Sequence, residues 1–322
     1  MTVAITSPSW SPELAPFLMA DKLGYFGQEH LKVEYVLAKS GTEAVQQLIG
    51  GGVQIAVATP EPVVIAAQKN AGLQYFMPYY GHFIYQLAAL EDSGITSVAG
   101  LKGKRIGVTN AASTGVTFLR TALAAAGLSE KDVTVVPIGV GAQQLSAIQQ
   151  GRVDALAMWD TQYQTMANAG VATTIVPVPG MDRLFGGGLA ARATDLARDQ
   201  GLYERFGRAL AKAYVYSGLH PEDVVKRAWE AQPETRPGPG QDKAKALADD
   251  ARLVSARFGF LTSDPDSTAW TSMAPQQMSA FIDWAATAGL ITSKPPVDAV
   301  LTDKLAPAIA SVRAADLHAL AP

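Results

Sequence analysis

The stretch Ser40–Glu61, SGTEAVQQLIGGGVQIAVATPE, has a counterpart 100 residues later at Val140–Thr161, VGAQQLSAIQQGRVDALAMWDT. The two stretches align without a gap, and three of the 22 positions are identical. The identical pairs are Gly41 with Gly141, Gly51 with Gly151 and Val53 with Val153. The pairs mark a helix start, a helix end and a strand start, which are positions that depend on local conformation. The shift therefore predicts two similar α/β lobes.

Outward from this stretch, strand-like apolar runs alternate with helical patterns over the first half of the chain. The runs predict strands at Val3–Thr6, Lys32–Leu37, Val53–Ala58, Leu73–Tyr80, Arg105–Thr109, Val133–Pro137 and Val153–Met158. This alternation is typical of mostly parallel sheets with helices on both faces. The last third is helical instead, with helices predicted at Tyr203–Ser217, Glu222–Ala231, Lys243–Phe258 and Gln276–Ala288.

These patterns predict an α/β protein of two similar βαβ lobes with mostly parallel sheets. A two-stranded hinge joins the lobes, and the C-terminal helices form an extension packed on the first lobe. The chain is expected to cross between the lobes near Gly81–Tyr85 and to return along an extended run at Gly186–Ala191. Lobe 1 then comprises residues 1–82 and 190–322, and lobe 2 comprises residues 83–189.

The composition excludes several classes of protein. The 322 residues are 48% apolar and 17% charged, which is typical of folded cores, and the net charge of −3 argues against nucleic-acid binding. The absence of cysteine excludes disulfides, thiol nucleophiles and cysteine zinc sites. The four histidines, His30, His82, His220 and His318, match no metal-ligand spacing. No nucleotide-binding or hydrolase motif occurs, so we predict no metal, no cofactor and no catalytic residues.

In open α/β sheets, ligands bind beyond the carboxyl ends of the strands, where the following helices begin. Helix starts expose unpaired N–H groups and the positive end of the helix dipole. This rule selects the loops that follow the predicted strands. The candidate ligand-binding residues are Trp10, Ser40, Thr42, Thr59, Glu61, His82, Phe83, Asn110, Ser113, Thr114, Trp159 and Asp160.

Each polar candidate has an ordinary structural alternative. Ser40 and Ser113, like their polar neighbours, could be helix caps, ligand contacts or both. Glu61 and Asp160 would accept hydrogen bonds from an amine, amide or hydroxyl, or could stand at a helix start because of the dipole. His82 could be a ligand contact or a structural hydrogen-bonding residue.

The aromatic candidates suggest the kind of ligand. Trp10 and Trp159 could form stacking walls for a planar ligand, or could pack beneath their loops. Phe83 belongs to an aromatic cluster at the first crossover, most of which is expected to be hinge packing. No arginine is assigned to the cleft, and Lys39 could point to solvent. The aromatic content favours an aromatic or heterocyclic acid, or a sulfonate-like solute, over a hydrated oxyanion held by helix starts alone.

Five segments, taken in order, resemble the periplasmic substrate-binding proteins of ABC importers. Ala20–Phe26 (ADKLGYF) and Leu31–Glu34 (LKVE) are similar to a helix-to-strand turn of the branch for nitrate, sulfonates, taurine and pyrimidine precursors. Asp92–Ile95 and Leu101–Val108 (LKGKRIGV) resemble its entry to the second lobe, and Gly151–Ala155 (GRVDA) a strand entry. The resemblance covers roughly residues 1–190. In the helical remainder, only the order of the helices is similar.

This resemblance implies a type II periplasmic-binding fold that captures a small solute in an interlobe cleft by hinge closure. It also implies delivery to a membrane permease with its ATPase, peripheral contact with that membrane complex, and a monomer in the periplasm or at the cell surface. The strand-like run after Met1 fits a chain whose leader has been trimmed, or a cytosolic protein. Lipid-anchored relatives carry an N-terminal cysteine that is missing here. The alternative is a cytosolic enzyme on the same bilobal scaffold.

Overall fold

The computed structural model describes residues 1–261 and 271–312. Its internal contacts divide the chain into unit 1, residues 1–82 with 184–322, and unit 2, residues 83–183. The chain therefore enters unit 2 after His82 and returns before Leu184. The sequence placed the return at residue 190. The structure has it earlier, because Gly188–Arg192 is a strand of the sheet of unit 1.

Strands and helices alternate through the first 200 residues, and helices follow. The strands are β1 Thr2–Thr6, β2 Glu34–Ala38, β3 Ile55–Ala58, β4 Leu73–Pro78, β5 Tyr85–Leu90, β6 Arg105–Val108, β7 Thr134–Pro137, β8 Ala155–Trp159, β9 Thr173–Val176 and β10 Gly188–Arg192. The helices are α1 Ala15–Lys22, α2 Tyr25–Gln28, α3 Gly41–Ile49, α4 Pro60–Gln68, α5 Thr114–Ala125, α6 Ala142–Gln149, α7 Asp160–Asn168, α8 Ala193–Arg198, α9 Gln200–Leu219, α10 Pro221–Ala231, α11 Lys243–Leu261, α12 Pro275–Thr287, α13 Val297–Val300 and α14 Ala306–Ile309. Short 3₁₀ turns lie at Pro12–Leu14, Glu91–Ser93, Val98–Leu101, Glu130–Asp132, Met181–Arg183 and Pro233–Thr235.

The sheet of unit 1 has the order β2-β1-β3-β10-β4. Strand β1 pairs in parallel with both β2 and β3. Strand β10 pairs antiparallel with β3 and β4. Strands β1 to β4 therefore all run in one direction, and their carboxyl ends lie at one edge of the sheet. We call this edge the carboxyl edge of unit 1.

The sheet of unit 2 repeats this plan in the order β7-β6-β8-β5-β9. Strand β6 pairs in parallel with β7 and β8, and β5 pairs antiparallel with β8 and β9. Strand β5 thus takes the place that β10 has in unit 1. The carboxyl ends of β6, β7, β8 and β9 form the carboxyl edge of unit 2. The prediction of two similar lobes with mostly parallel sheets is confirmed.

The 100-residue repeat extends to the conformation of single residues. Helices α4 and α7 begin and end 100 residues apart. Gly51 and Gly151, which follow α3 and α6, have φ angles of 79° and 62°. Their N–H groups donate to Leu48 O and Ile148 O at 3.2 and 2.9 Å. Left-handed backbone closes both helices in the same way, and glycine adopts it without strain.

The sequence suggested Gly186–Ala191 as an extended crossover. Its first three residues, Gly186–Gly188, must be glycines because neighbouring backbone atoms of unit 1 leave no space for a side chain. A Cβ atom on Gly187, where φ is 106°, would lie 2.4 Å from Ala58 O. A Cβ on Gly188 would lie 2.2 Å from Met77 O. Only residues without a side chain allow β10 to enter between β3 and β4, so the run ends as a sheet strand rather than as a free connection.

The C-terminal helices pack on the sheet and helices of unit 1, as predicted. Helix α9 lies against α1 and α2, and α10 packs on α11. The Phe206 ring stacks on Phe26 at 5.3 Å between centroids, and Arg208 pairs with Glu29 at 2.7 Å. Among the helices of the described ranges, none combines the length and apolar character needed to cross a membrane.

Arg192 joins β10 to the repeat segment. Its Nη1 donates to Leu48 O, at the end of α3, at 2.5 Å, and its guanidinium pairs with the buried Asp195 carboxylate. Arg198 also pairs with Asp195, at 2.7 Å, but its side chain is 76% exposed against 23% for Arg192. Only Arg192 therefore satisfies two groups that have little access to water.

We expect Arg192→Met to lower the free energy of unfolding by about 2–4 kcal/mol, because it removes the side-chain donor to the Leu48 carbonyl, which keeps the Gly51 N–H, and the less exposed of the two cations that pair with the buried Asp195 carboxylate. Arg198→Met is the matched control, since it removes an exposed partner of the same carboxylate, and should cost less than about 1 kcal/mol. Urea unfolding followed by circular dichroism measures both. Equal losses in the two variants would contradict the anchoring role of Arg192.

Candidate functional site

The carboxyl edge of unit 1 carries the candidates Ser40, Thr42 and Thr59. Ser40 caps α3, since its Oγ accepts from the Glu43 N–H at 3.2 Å, and Thr42 is exposed in the first turn of the same helix. Thr59 is only 7% exposed and precedes α4. The capping interpretation of Ser40 thus describes its observed contact, and ligand contact by these three residues stays a prediction.

Glu61 lies in the first turn of α4, and one of its carboxylate oxygens is buried. Nearby, the Tyr75 hydroxyl donates to Thr59 O at 2.9 Å. Burial raises the pKa of Tyr75 well above its ordinary value, and the charge of Glu61 and the neighbouring Tyr80 raise it further. The Glu61 carboxylate therefore lies near the buried Tyr75 hydroxyl. A carboxylate at this position can accept hydrogen bonds.

Trp10 is half-buried in the loop between β1 and α1. Its ring meets the edge of Tyr35, with centroids 5.8 Å apart at an angle of 87°. Trp10 also lines a narrow pocket whose other wall includes Val225 and Trp229 of α10. Both neighbours belong to unit 1, so the observed contacts of Trp10 are packing contacts, and its predicted stacking on a ligand stays a prediction.

Residues 82 and 83 are the point at which the chain leaves unit 1 for unit 2. His82 is half-buried, and its carbonyl oxygen would lie 2.2 Å from a Cβ on Gly186. Phe83 is 2% exposed, and its ring lies 5.9 Å from both Tyr85 and Phe118. Phe83 is thus enclosed by aromatic neighbours of unit 2, in accordance with the hinge-packing alternative for this cluster.

The carboxyl edge of unit 2 brings Asn110, Ser113 and Thr114 to the start of α5. The Asn110 side-chain oxygen accepts from Ala112 N at 2.9 Å and shapes the turn. Ser113 occupies the N-cap position but makes no capping bond. A Cβ on Gly115 would lie 2.3 Å from Ala157 O, so α5 begins directly against β8. The absent side chain of Gly115 therefore places the start of α5 beside the end of β8.

Trp159 and Asp160 stand at that end of β8. The half-buried Trp159 ring lies 6.0 Å from Tyr85 at an angle of 66°. The Asp160 N–H donates to Ile84 O at 3.1 Å, and one of its carboxylate oxygens is buried. Asp160 is the first residue of α7, where a negative charge is favoured by the helix dipole. Trp159, Asp160 and the start of α5 thus share one corner of unit 2.

The structure also shows three residues with buried polar atoms that the sequence did not select: Thr109, Gln162 and Arg257. Thr109 directly follows β6, and Gln162 is the third residue of α7. Arg257 on α11 is 4% exposed, and its guanidinium carbon lies 4.8 Å from the centre of the Tyr80 ring. The sequence predicted helix α11. Helical periodicity does not indicate, however, that Arg257 of this helix contacts Tyr80 in the loop after β4.

Over residues 1–261 and 271–312, no group of three or more His, Asp or Glu side chains is placed to hold a metal ion. The sequence predicted that the four histidines form no metal site. His30, His82 and His220 lie within these ranges, and His318 lies outside the described residues.

Asp250 of α11 lies beside the pocket that Trp10 lines, and its carboxylate accepts from Trp229 Nε1 at 3.0 Å. Burial raises the pKa of Asp250 from its usual 3.8 to about 6. The Trp229 hydrogen bond opposes this rise, whereas the charges of Asp249 and Glu13 add to it. The folded protein therefore holds the Asp250 proton more tightly than the unfolded chain does.

Because the folded pKa is raised, the contribution of Asp250 to stability is greatest below pH 3.8 and falls as the pH rises through about 6. Asp250→Asn, which cannot ionise, should be more stable than the native protein at pH 8 by about 1–2 kcal/mol, a value reduced for partial exposure, and nearly equal to it at pH 4. Urea unfolding at both pH values measures the difference.

The control for this experiment is Asp249→Asn. Asp249 pairs with Lys245 and with Arg252 on the same helix, so its substitution should lower stability at pH 8 rather than raise it. A gain from Asp250→Asn that is the same at pH 4 and pH 8 would contradict the assignment.

Comparisons with known proteins agree with this architecture. The NMT1/THI5 like family matches residues 11–224. The riboflavin-binding protein RibY of Chloroflexus aurantiacus is 22% identical over 302 residues, which are 92% of this chain and 83% of RibY.

Solved structures show the same fold. The alkanesulfonate-binding protein SsuA from Xanthomonas axonopodis pv. citri, bound to MOPS, superposes with a TM-score of 0.67 at 19% identity, over 94% of this chain and 97% of SsuA. The desulfurization enzyme DSZB superposes with a TM-score of 0.57 at 15% identity, over 96% and 98% of the two chains. The bilobal fold of the periplasmic binding proteins, implied by the resemblance, is confirmed.

Proposed function

The chain belongs to the NMT1/THI5-like family, and from this premise we propose that it is the substrate-binding protein of an ABC importer. It captures a small organic solute in the periplasm or at the cell surface and delivers it to a membrane permease, whose ATPase drives uptake. It acts as a monomer that touches the membrane complex only peripherally. Neither a cofactor nor bond chemistry is part of this function.

The observation that carries the proposal is the duplicated carboxyl edge. Both units have the same strand order, and both present helix starts and polar loops at the edge where their parallel strands end. The first crossing runs from the loop after β4 into β5, and the return leads from the turn after β9 into β10. Both connections therefore begin and end at the two carboxyl edges. In the proposed mechanism, bending of these connections changes how many contacts the two edges make with one ligand.

In this mechanism the ligand supplies the energy of closure. A solute that contacts Thr59 and Glu61 of unit 1 together with Ser113 and Asp160 of unit 2 makes its full set of hydrogen bonds only in a closed form. The ligand therefore shifts the population toward that form by the free energy of the additional contacts. The permease would then recognise the closed, loaded protein.

The side chains favour an organic ligand with a ring. Trp10 and Trp159 offer large flat surfaces, and Glu61 and Asp160 offer acceptors for N–H or O–H groups. The names of two relatives support this class, since riboflavin carries a planar heterocycle and MOPS is a sulfonate linked through a propyl chain to a morpholine ring. We therefore propose an aromatic or heterocyclic acid, or a sulfonate-like solute.

The same scaffold also carries an enzyme, so the choice between binding and catalysis rests on side chains. One solved form of the desulfurization enzyme DSZB is a cysteine-to-serine variant in complex with biphenyl-2-sulfinic acid. This chain has no cysteine and so cannot use a thiol. That difference supports binding without turnover.

Calorimetric titration with riboflavin, MOPS, aromatic carboxylates and pyrimidines tests the function. We expect one class to bind in a one-to-one ratio and to raise the melting temperature, because a ligand present at about 100 times Kd stabilises the native state by about 2.7 kcal/mol. The bound compound should be recovered unchanged by mass spectrometry. Conversion into a product would establish an enzyme and remove the transport proposal.

Replacing the two tryptophans tests the stacking role. Trp10→Ala and Trp159→Ala should each weaken binding of the solute identified by titration by about 1–3 kcal/mol, because each removes a desolvated aromatic contact. Trp10→Phe and Trp159→Phe keep a ring and should retain most of the affinity. If both alanine variants fold and bind like the native protein, the two rings serve only as packing contacts within their own units, and the stacking role is wrong.

A further inference from the structure

Three buried polar atoms at the carboxyl edge of unit 2 have no hydrogen-bond partner within residues 1–261 and 271–312. They are Thr109 Oγ1, Ser113 Oγ and Gln162 Oε1. Gln162 is only 8% exposed. Buried polar groups in folded proteins are nearly always paired, with the protein, with water or with a bound ligand.

The three residues lie at one corner of unit 2. Thr109 follows β6, and Gln162 lies in the first turn of α7, which follows β8. Strands β6 and β8 are neighbours, with Ile106 opposite Ala155. Ser113 precedes α5, whose start touches β8 through Gly115. Two hydroxyls and one amide therefore stand around the ends of two adjacent strands.

Gln162 differs from the other fully buried glutamine of this unit. The Gln144 amide is 0% exposed and donates to Met158 Sδ at 3.1 Å, inside the core cluster of unit 2. Gln162 Oε1 has no hydrogen-bond partner in the described chain, and Gln162 follows Trp159 and Asp160 at the strand end. The Oε1 atoms of both glutamines thus lack a partner, but Gln144 is held in the core through its Nε2, whereas Gln162 lies at the carboxyl edge of unit 2.

We propose that Gln162, with the hydroxyls of Thr109 and Ser113, recognises the lactam or imide edge of a planar heterocycle. The inference rests on the proposed solute-binding function and names its ligand class. A primary amide carries an acceptor and a donor in one plane, as a lactam does, so the two form a pair of hydrogen bonds. An edge with both N–H and C=O groups satisfies Gln162 whichever way its amide is turned.

The same corner disfavours a ligand that can only accept hydrogen bonds. A sulfonate or carboxylate group would leave the Gln162 acceptor without a donor. Asp160, in the same turn of α7, already supplies the negative charge that a helix start favours, so a second anion there would be repelled. Recognition by unit 2 therefore selects a neutral edge that carries hydrogen-bond donors.

The test compares riboflavin with its N3-methyl derivative, which has lost the imide N–H, and uses MOPS as a sulfonate probe that has no lactam or imide edge. The native protein should bind riboflavin at least about tenfold more tightly than the methyl derivative, because the methyl group removes the donor for Gln162. Gln162→Leu should weaken riboflavin binding by about tenfold and bring the two flavins to within about twofold of each other.

The matched control is Gln164→Leu, on the same helix, where the glutamine bonds Asn168 at 3.0 Å. It should leave both affinities unchanged. Without ligand, Gln162→Leu should melt at the native temperature or above it, because leucine replaces an amide that has no partner. A purely structural role for Gln162 predicts the reverse, a lower melting temperature with equal losses for both flavins.

The outcomes separate the inference from the proposed function. If the native protein binds MOPS but neither flavin, or binds both flavins equally, solute binding stands and the role of Gln162 is wrong. The role is also wrong if Gln162→Leu keeps the preference for the N–H form. If the native protein binds none of these probes and none of the wider panel of solutes, the proposed function fails, and the inference fails with it.

Discussion

The close backbone approach at Gly186–Gly188 is the constraint on which unit 1 depends. Strand β4 reaches its sheet only through β10, and β10 can enter between β3 and β4 only because three successive residues have no side chain. In unit 2, β5 has the corresponding position between β8 and β9. Each sheet is therefore completed by the first strand after a crossing. The segments that connect the units also complete each sheet, and they thereby fix the carboxyl edges that carry the candidate ligand-binding residues.

The sequence predicted those parts of the fold that depend on local conformation. Gly51 and Gly151 stop their helices with left-handed backbone, and this requirement is visible in the amino acids themselves. The sequence did not predict β10, because Gly186–Gly188 is flexible in isolation and its conformation is set by Ala58 and Met77, more than 100 residues earlier. Local rules thus predict where helices begin and end, and contacts distant in sequence decide how the sheet closes.

The candidate site divides in the same way. Ser40 was recognisable as a cap from its position before a helix, and the structure gives it that contact. Gln162 was not recognisable, because α7 begins with a polar run in which nothing marks Gln162 rather than Gln164 as the buried glutamine. Arg257 is a similar case, since its place over Tyr80 depends on how α11 packs. Burial of a polar side chain is a tertiary property, so residues such as Gln162 and Arg257 are the least visible in the sequence.

Unit 2 is one uninterrupted stretch of chain, whereas unit 1 needs residues from both sides of that stretch. During synthesis, the whole of unit 2 leaves the ribosome before β10 does, so its sheet can form while β4 still has no neighbour. Strands β3 and β4 then lack their shared neighbour β10 while about 100 further residues are translated, at roughly 5–20 residues per second. A chain made in this order leaves β3 and β4, the earlier strands that flank β10, without their shared neighbour until the last strand of the sheet has been made.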